Sequence, residues 1–207
     1  MTDVQSGVSR GQFLRNTAKG SIVLVGTGGV LASVDGVALA AGPTKSDISA
    51  LQAAYLAESL AVYTYTAIIK NFSSFTKPKL TNIDYFERAL ADEKEHKKIL
   101  GSALGSSTPT GYGFQIPASS LKTGQALLET GVALETAFVE AYLGAVGTLS
   151  SLDLKQLAAK FAANEATHFS FFDAAAGGHA VLPAVPGTAT IPATVKKLTP
   201  FLIPPAS

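Results

Sequence analysis

Six side chains that can bind metal ions recur in a regular order along the chain. They are four glutamates and two histidines: Glu58, Glu93, His96, Glu135, Glu165 and His168. Each histidine follows a glutamate by three residues, and on a helix that spacing lets both side chains reach one metal ion. A lone glutamate precedes each Glu-x-x-His pair, by 35 residues in the first half and 30 in the second. This repeated order predicts a pseudo-symmetric site for two metal ions.

These four glutamates differ from the others because each lies within an apolar helical stripe. Glu58 lies between Tyr55 and Val62, for example, whereas Glu87, Glu95, Glu129 and Glu140 fall off the stripes. Four ionised carboxylates in a bundle core would repel one another, and each would carry a large desolvation cost. Two divalent cations balance four negative charges, and oxygen donors with a neutral imidazole suit iron and manganese.

The composition excludes several other kinds of protein. The 207 residues contain no cysteine, which rules out disulfide scaffolds, thiolate zinc sites, iron–sulfur clusters and cysteine nucleophiles. Lysine and arginine number 16 against 15 acidic residues, so no global positive field favours nucleic acid, and we expect no such partner. Apolar residues make up 47% and charged residues 15%, which is typical of a globular chain rather than a disordered one.

The side chains that could bind metal lie on four segments with apolar residues at helical spacing. The segments are 46–71, 82–100, 121–149 and 152–176. None of them alternates like a strand, so the fold class is predicted to be all-α. Thr44 or Ser46 can cap the first helix, and Ser119-Ser120 precede the third. Gly101 is the expected stop of the second helix.

The connections between these helices predict a topology. About ten residues join the first two helices and about two join the last two, so each pair should form an antiparallel hairpin. The stretch from Gly101 to Ser120 is long enough to run the length of a bundle as a crossover. Residues 45–178 are therefore expected to form a four-helix bundle. The proline-rich segment 179–207 should pack on it as an extended tail with one short helical turn near Lys196.

The first 41 residues are predicted to be an export signal. Basic residues precede an apolar, glycine-rich stretch from Gly20 to Leu39, and a small-residue cleavage pattern precedes Ala41. The segment 9–15 resembles the twin-arginine motif, with Gly11 in the place of the second arginine. The expected location is outside the cytoplasm, by either the twin-arginine or the general secretory route. The alternative is an uncleaved membrane anchor, whereas a cleaved chain would keep no stable membrane span.

Over residues 45–178 the chain resembles the ferritin-like di-metal carboxylate proteins. The resemblance rests on the two Glu-x-x-His pairs that alternate with in-stripe glutamates, and on the segment LETAFVEAYLGA at 134–145. The chain is most similar to the exported ferritin-like domain proteins of bacteria. The resemblance implies a ferritin-like four-helix bundle of two hairpins joined by a long crossover. It also implies that Glu93 and Glu165 bridge two metal ions.

The resemblance leaves three functions open. Two iron ions, also held by Glu58, Glu135, His96 and His168, would react with dioxygen or peroxide, as in a ferroxidase-like oxidoreductase. Two manganese ions in the same ligand set would instead disproportionate peroxide. The third alternative is a non-catalytic scaffold or binding protein of the cell envelope. A homo-oligomer also stays open, whereas a storage cage is disfavoured because the tail shows no fifth bundle helix.

A few further residues lie close enough in sequence to assist the site. Tyr65 and Tyr142 each follow an in-stripe glutamate by seven residues, so they are either partners of the ligand carboxylates or core residues. Asp92 and Asp173 either orient a ligand imidazole or occupy the helix surface. Two more titratable residues are expected to lie outside the site: Glu140, as a solvated or subunit-facing carboxylate, and His179, in a loop.

Overall fold

The computed structural model describes residues 43–70 and 83–203. These residues form five helices: α1 (Lys45–Lys70), α2 (Ile83–Leu104), α3 (Gly124–Thr148), α4 (Leu152–Ala175) and α5 (Ile191–Leu198). The expected export signal, residues 1–41, lies outside the described residues. No described helix has the length and apolar character needed to cross a membrane.

The first four helices form two antiparallel hairpins. In the first hairpin, Tyr65 near the end of α1 contacts Phe86 near the start of α2. In the second, Tyr142 in α3 contacts Phe161 in α4. Between the hairpins, α1 lies antiparallel to α3, because Asp47 at its start accepts a hydrogen bond from Ser150 just after the end of α3. The predicted all-α bundle of two hairpins is confirmed.

A long crossover joins the two hairpins. It leaves α2 at the end of the bundle where α1 begins, and there Gln52 donates to the carbonyl of Ser107. It reaches α3 at the opposite end. On the way it forms strand β1 (Gly113–Phe114), which pairs antiparallel with strand β2 (Leu202–Ile203) from the tail. The crossover was predicted from its length, whereas this ladder was not.

Two predicted helix boundaries are wrong. Gly101 does not stop α2, which continues to Leu104; a side chain at Gly101 would lie only 3.3 Å from the ring of Tyr55. The left-handed backbone that ends the helix belongs to Gly105, at φ +54°. Helix α3 begins at Gly124 rather than near residue 121, because Thr123 is its N-cap and accepts a hydrogen bond from the amide of Ala126.

The start of α1 is tied to the turn between α3 and α4. The Thr44 hydroxyl accepts from the amide of Asp47, and the Asp47 carboxylate accepts from the amide of Thr44, so the two residues form a capping box. The same carboxylate accepts hydrogen bonds from the amide and hydroxyl of Ser150. Burial alone would raise the pKa of Asp47, but the hydrogen bonds from Ser150 and Thr44 outweigh it and lower the pKa to about 2.

The hydrophobic core lies in two clusters, one toward each end of the bundle. Leu60, Phe86 and Phe172 belong to the first cluster. Leu51, Leu100 and Phe161 belong to the second. In α2 and α4 the predicted ligand residues lie between residues of the two clusters, and in α1 and α3 Glu58 and Glu135 lie beside residues of the first cluster. Apolar packing at both ends therefore holds the four helices in register around the middle of the bundle.

The tail lies against the outside of the bundle. Helix α5 packs on α3 and α1 and buries Leu198. Lys197 forms an ion pair of 2.6 Å with Glu140 of α3, and the amide of Ala189 donates to the carbonyl of Glu140. The predicted helical turn near Lys196 is thus part of an eight-residue helix.

Candidate metal centre

The six predicted ligand residues all lie inside the bundle. Each is between 0% and 7% exposed, and Glu93 and Glu165 are fully buried. Each of the four long helices contributes one glutamate from its inner face, and α2 and α4 each add a histidine one turn later. The helical stripes read from the sequence therefore bring these six side chains together.

The six side chains form two overlapping groups. Glu58, Glu93, His96 and Glu165 make up one group, and Glu93, Glu135, Glu165 and His168 make up the other. Within each group, one donor atom per residue lies within 4.8 Å of the others. Glu93 and Glu165 belong to both groups. They are the two residues that the resemblance assigned as bridges, and their position between the groups suits that role.

Both histidines direct the same ring nitrogen at the carboxylates. Nδ1 of His96 lies 3.0 Å from Glu165 and 3.2 Å from Glu93. Nδ1 of His168 lies 2.9 Å from Glu93 and 3.2 Å from Glu165. The ring of His96 stacks on Phe161 with its centroid 4.0 Å away, and the ring of Tyr65 meets that of His168 edge-on. Aromatic packing thus helps to fix the orientation of both imidazoles.

Several atoms that could bind metal at the centre are buried and make no hydrogen bond of good geometry, although the closest imidazole and carboxylate atoms are 2.9–3.0 Å apart. They are Glu58 Oε2, both carboxylate oxygens of Glu93, Glu135 Oε2, Glu165 Oε1 and His96 Nδ1. Buried polar atoms in folded proteins are normally satisfied, so a cluster of such atoms that face one another calls for a ligand. Four carboxylates and two imidazole nitrogens are the donor set that divalent iron or manganese accepts, and the residues present fit two such ions.

Glu58 and Glu135, which each belong to only one of the two groups, accept a hydrogen bond from a tyrosine. Tyr65 donates to Glu135 Oε1 over 3.0 Å, and Tyr142 donates to Glu58 Oε1. Burial, together with the nearby carboxylates, raises the pKa of both tyrosines well above 10, so both stay protonated donors. From the sequence, each tyrosine was expected on the same helix face as the glutamate seven residues before it. In the structure each one binds the glutamate of the other hairpin.

Without metal, the buried carboxylates and imidazoles shift one another's pKa values. Burial alone would lower the pKa of the histidines, but the surrounding carboxylates raise that of His96 to about 12 and that of His168 to about 9. Burial and neighbouring carboxylates raise the pKa of Glu93 and Glu135. For Glu165, burial is outweighed by both histidines, and its pKa falls to about 2. Cations that bind here therefore replace protons.

Asp92 lies behind one of the histidines. Its Oδ2 is 3.7 Å from Nε2 of His168, the ring nitrogen that faces away from the centre. Arg88 holds the same carboxylate, with Nη2 2.9 Å from Oδ1 and Nε 3.2 Å from Oδ2. Asp173 instead accepts from the amide of Ala180 just beyond the end of α4. Arg88 was missed by the sequence analysis, although its i, i+4 spacing from Asp92 was a readable signal.

The remaining candidates lie outside the centre. Glu140 pairs with Lys197 of the tail, and His179 is exposed. An apolar cavity of about 50 Å³ is lined in part by Tyr142, Phe161 and Ile191 of α5. Tyr142 and Phe161 in turn contact Glu58 and His96, so these two side chains lie between the cavity and the centre.

The family model of the ferritin-like domain matches residues 46–178, which is more than half of the chain. Comparison with curated proteins finds no match. The matched range contains the four long helices, except the first residue of α1, and all six buried glutamates and histidines. The chain therefore belongs to the ferritin-like domain family.

Proposed function

We propose that this protein binds two iron ions between its four glutamates and two histidines and reacts there with dioxygen or peroxide. One observation carries the proposal: the two potential ligand groups overlap, and Glu93 and Glu165 belong to both. Ions held by shared carboxylates would be close enough to act on one small molecule together. Two iron(II) ions, when bound, would supply the two electrons that, with two protons from solvent, cleave the O–O bond of hydrogen peroxide and give two waters.

The protein's own contribution is orientation and the exclusion of water. Tyr65 and Tyr142 each donate to one oxygen of a glutamate, which leaves the other oxygen, Oε2, free for the metal. Phe161 and Tyr65 fix the planes of the imidazoles by ring contacts. The apolar cavity beside Tyr142 would admit a small uncharged reactant, such as dioxygen or hydrogen peroxide, without opening the centre to bulk water.

Metal analysis tests the binding half of this proposal. The metal-free full chain, reconstituted with iron(II) without oxygen and then desalted, should retain about two iron ions per chain. Glu93→Gln and Glu165→Gln should each lower the retention of both ions, because each residue belongs to both groups. Glu140→Gln is the matched control, since Glu140 lies on the tail side of α3 and should not change retention. Wild-type protein that retains no iron and no manganese would refute the metal site.

A second experiment tests the reaction. Iron(II)-loaded protein mixed with hydrogen peroxide should oxidise about two iron ions per peroxide and release no oxygen. Release of oxygen by manganese-loaded protein, with no turnover by the iron form, would replace the proposal with peroxide disproportionation. If neither the iron-loaded nor the manganese-loaded protein reacts with dioxygen or hydrogen peroxide, the proposal is wrong and the non-catalytic scaffold function is favoured.

We also propose that the protein acts outside the cytoplasm. The support is the sequence of residues 1–41, in which basic residues, an apolar stretch and a small-residue site follow one another. Fractionation of the host, with N-terminal sequencing of the chain that it accumulates, tests this. A mature chain that begins at Ala41 or the residue after it is expected outside the cytoplasm, and a full-length chain confined to the cytoplasm would contradict export.

A further inference from the structure

A small surface pocket lies between α2 and α4, directly behind His168. It has a volume of about 70 Å³, and its lining includes Arg88, Asp92, Asn164, Thr167 and His168. The lining is more polar than that of the apolar cavity on the other side of the centre, which is made mostly of alanine, leucine and phenylalanine. The two sides of the centre therefore differ in the kind of molecule that they can admit.

The imidazole of His168 extends from this pocket to the metal centre. Its side chain is 5% exposed, and its Nε2 atom is buried without a hydrogen-bond partner and faces Asp92. Its Nδ1 atom, on the opposite side of the ring, is 2.9 Å from Glu93. One ring therefore separates the carboxylate in the pocket from the carboxylates of the centre.

Arg88 covers the carboxylate in the pocket. The side chain of Arg88 is 79% exposed, and that of Asp92 is 19% exposed. Because the guanidinium is surrounded by solvent, which screens the ion pair, it can leave Asp92 at little cost. While it stays, it neutralises Asp92 and places a positive charge at the mouth of the pocket, which disfavours a cation there.

The two hairpins are not equivalent at this point. Asp92 directly precedes the shared Glu93 on α2, whereas an uncharged residue, Asn164, precedes the shared Glu165 on α4. The ring of His96 is stacked on Phe161, beside the apolar cavity. A cation that approaches behind His168 thus meets a carboxylate first, and one that approaches behind His96 meets aromatic and aliphatic carbon.

We propose that the pocket behind His168 is the port through which divalent metal ions reach the buried centre. Asp92 is the first carboxylate that an arriving cation contacts, and Arg88 is a displaceable cover. For the ion to pass to Glu93 and Glu165, the ring of His168 must turn away from its edge-on contact with Tyr65 for a short time, while the bundle itself stays closed. This inference rests on the proposed metal binding, but not on iron as the metal or on any reaction with oxygen.

The rate of metal uptake tests this port independently of activity. The metal-free full chain is mixed with cobalt(II) in a stopped-flow instrument, and the absorption of bound cobalt gives both the rate and the final occupancy. Arg88→Ala should speed uptake about threefold and Arg88→Glu by more, with the gain reduced at high salt, because a positive charge leaves the mouth. Lys98→Ala is the matched control and should not change the rate. It removes a cation from a similarly exposed ion pair with Glu95 on the same helix.

Two further variants test the path itself. Asp92→Asn should slow uptake about tenfold, since the first charged contact is lost. Thr167→Trp places a large ring in the pocket without touching a glutamate ligand, and it should slow uptake while the final occupancy stays the same. Wild-type rates in Arg88→Glu and Thr167→Trp would overturn the port while leaving the metal site intact. Wild-type protein that takes up no cobalt would overturn the port together with the metal site.

Discussion

The hydroxyl of Tyr65 donates a 3.0 Å hydrogen bond to Glu135, which lies on the other hairpin. Tyr142 returns the same contact by donating to Glu58. The two bonds have the form of a symmetric interface, in which each half supplies the donor for the acceptor of the other. They join the two hairpins at the level of the metal centre and fix one oxygen of each non-shared glutamate.

Tyr65→Phe and Tyr142→Phe should each weaken metal binding by about 10-fold to 100-fold, because each leaves a glutamate without its orienting donor. The rings keep their packing, so the helical content should stay the same. Competition with a chelator of known affinity measures the change. Tyr63→Phe is the control, since Tyr63 is 41% exposed and packs near Phe114, away from the centre. Unchanged metal affinity in both tyrosine variants would show that their hydroxyls do not support the ligands.

Gly131→Ala should destabilise the protein by about 2 kcal/mol, because a new methyl group would lie 2.3 Å from the ring of Phe172. That ring is fully buried against Tyr65 and Phe86 and cannot retreat. Gly147→Ala, on the same helix, meets no atom within 4 Å and should stabilise by about 0.5–1 kcal/mol. Chemical denaturation of both variants and of the wild type gives the free energies of unfolding to be compared. Equal stabilities would contradict the close contact between α3 and Phe172.

Asp47→Asn should destabilise the protein by about 2 kcal/mol at neutral pH, since the carboxylate accepts bonds from both Thr44 and Ser150. The folded pKa of about 2 lies below the ordinary 3.8, so this contribution is complete above about pH 4 and is lost as the pH falls toward 2. The difference in unfolding free energy between wild type and variant should narrow over that range. Asp84→Asn, at an exposed first-turn position of α2, is the control and should change stability by less than about 0.5 kcal/mol.

Gly144→Ala should detach the tail from α3, because a methyl group there would lie 2.1 Å from the backbone oxygen of Ala189. The expected result is faster hydrogen exchange at the amide of Ala189, which donates to Glu140, and through α5. Exchange in the middle of α2 should not change. Gly147→Ala, one turn away, serves again as the control. If the hydrogen-exchange rates of residues 188–198 in Gly144→Ala equal those of the wild type, the tail accommodates the methyl group and the prediction is wrong.

The sequence was most informative about the centre. The apolar residues of each stripe must face the core, so their burial also buries the carboxylate among them and brings Glu58, Glu93, Glu135 and Glu165 together. The spacing from Glu93 to His96 then fixes the histidine on the same face, because helix geometry is local. What the stripes could not reveal was which glutamate each tyrosine binds, since that depends on how α1 and α3 are aligned.

The features that sequence analysis missed depend on contacts between distant residues. In the sequence, Gly101 and Gly105 are equally good candidates for the end of α2. Only the structure distinguishes them, because Gly101 packs against the ring of Tyr55 and Gly105 has the left-handed backbone. A strand of two residues has no periodicity to detect, so β1 was invisible. The bond from Ser150 to Asp47 joins residues 103 positions apart, and nothing local to either residue indicates it.

The pairing of β1 with β2 also bears on the order in which the protein can fold. Each long hairpin forms from neighbouring segments of chain, so the helices can dock early. The crossover strand pairs with Leu202 and Ile203, which follow all four long helices in the chain. The helices of the bundle can therefore dock before this ladder forms, and the ladder then joins the middle of the crossover to the tail.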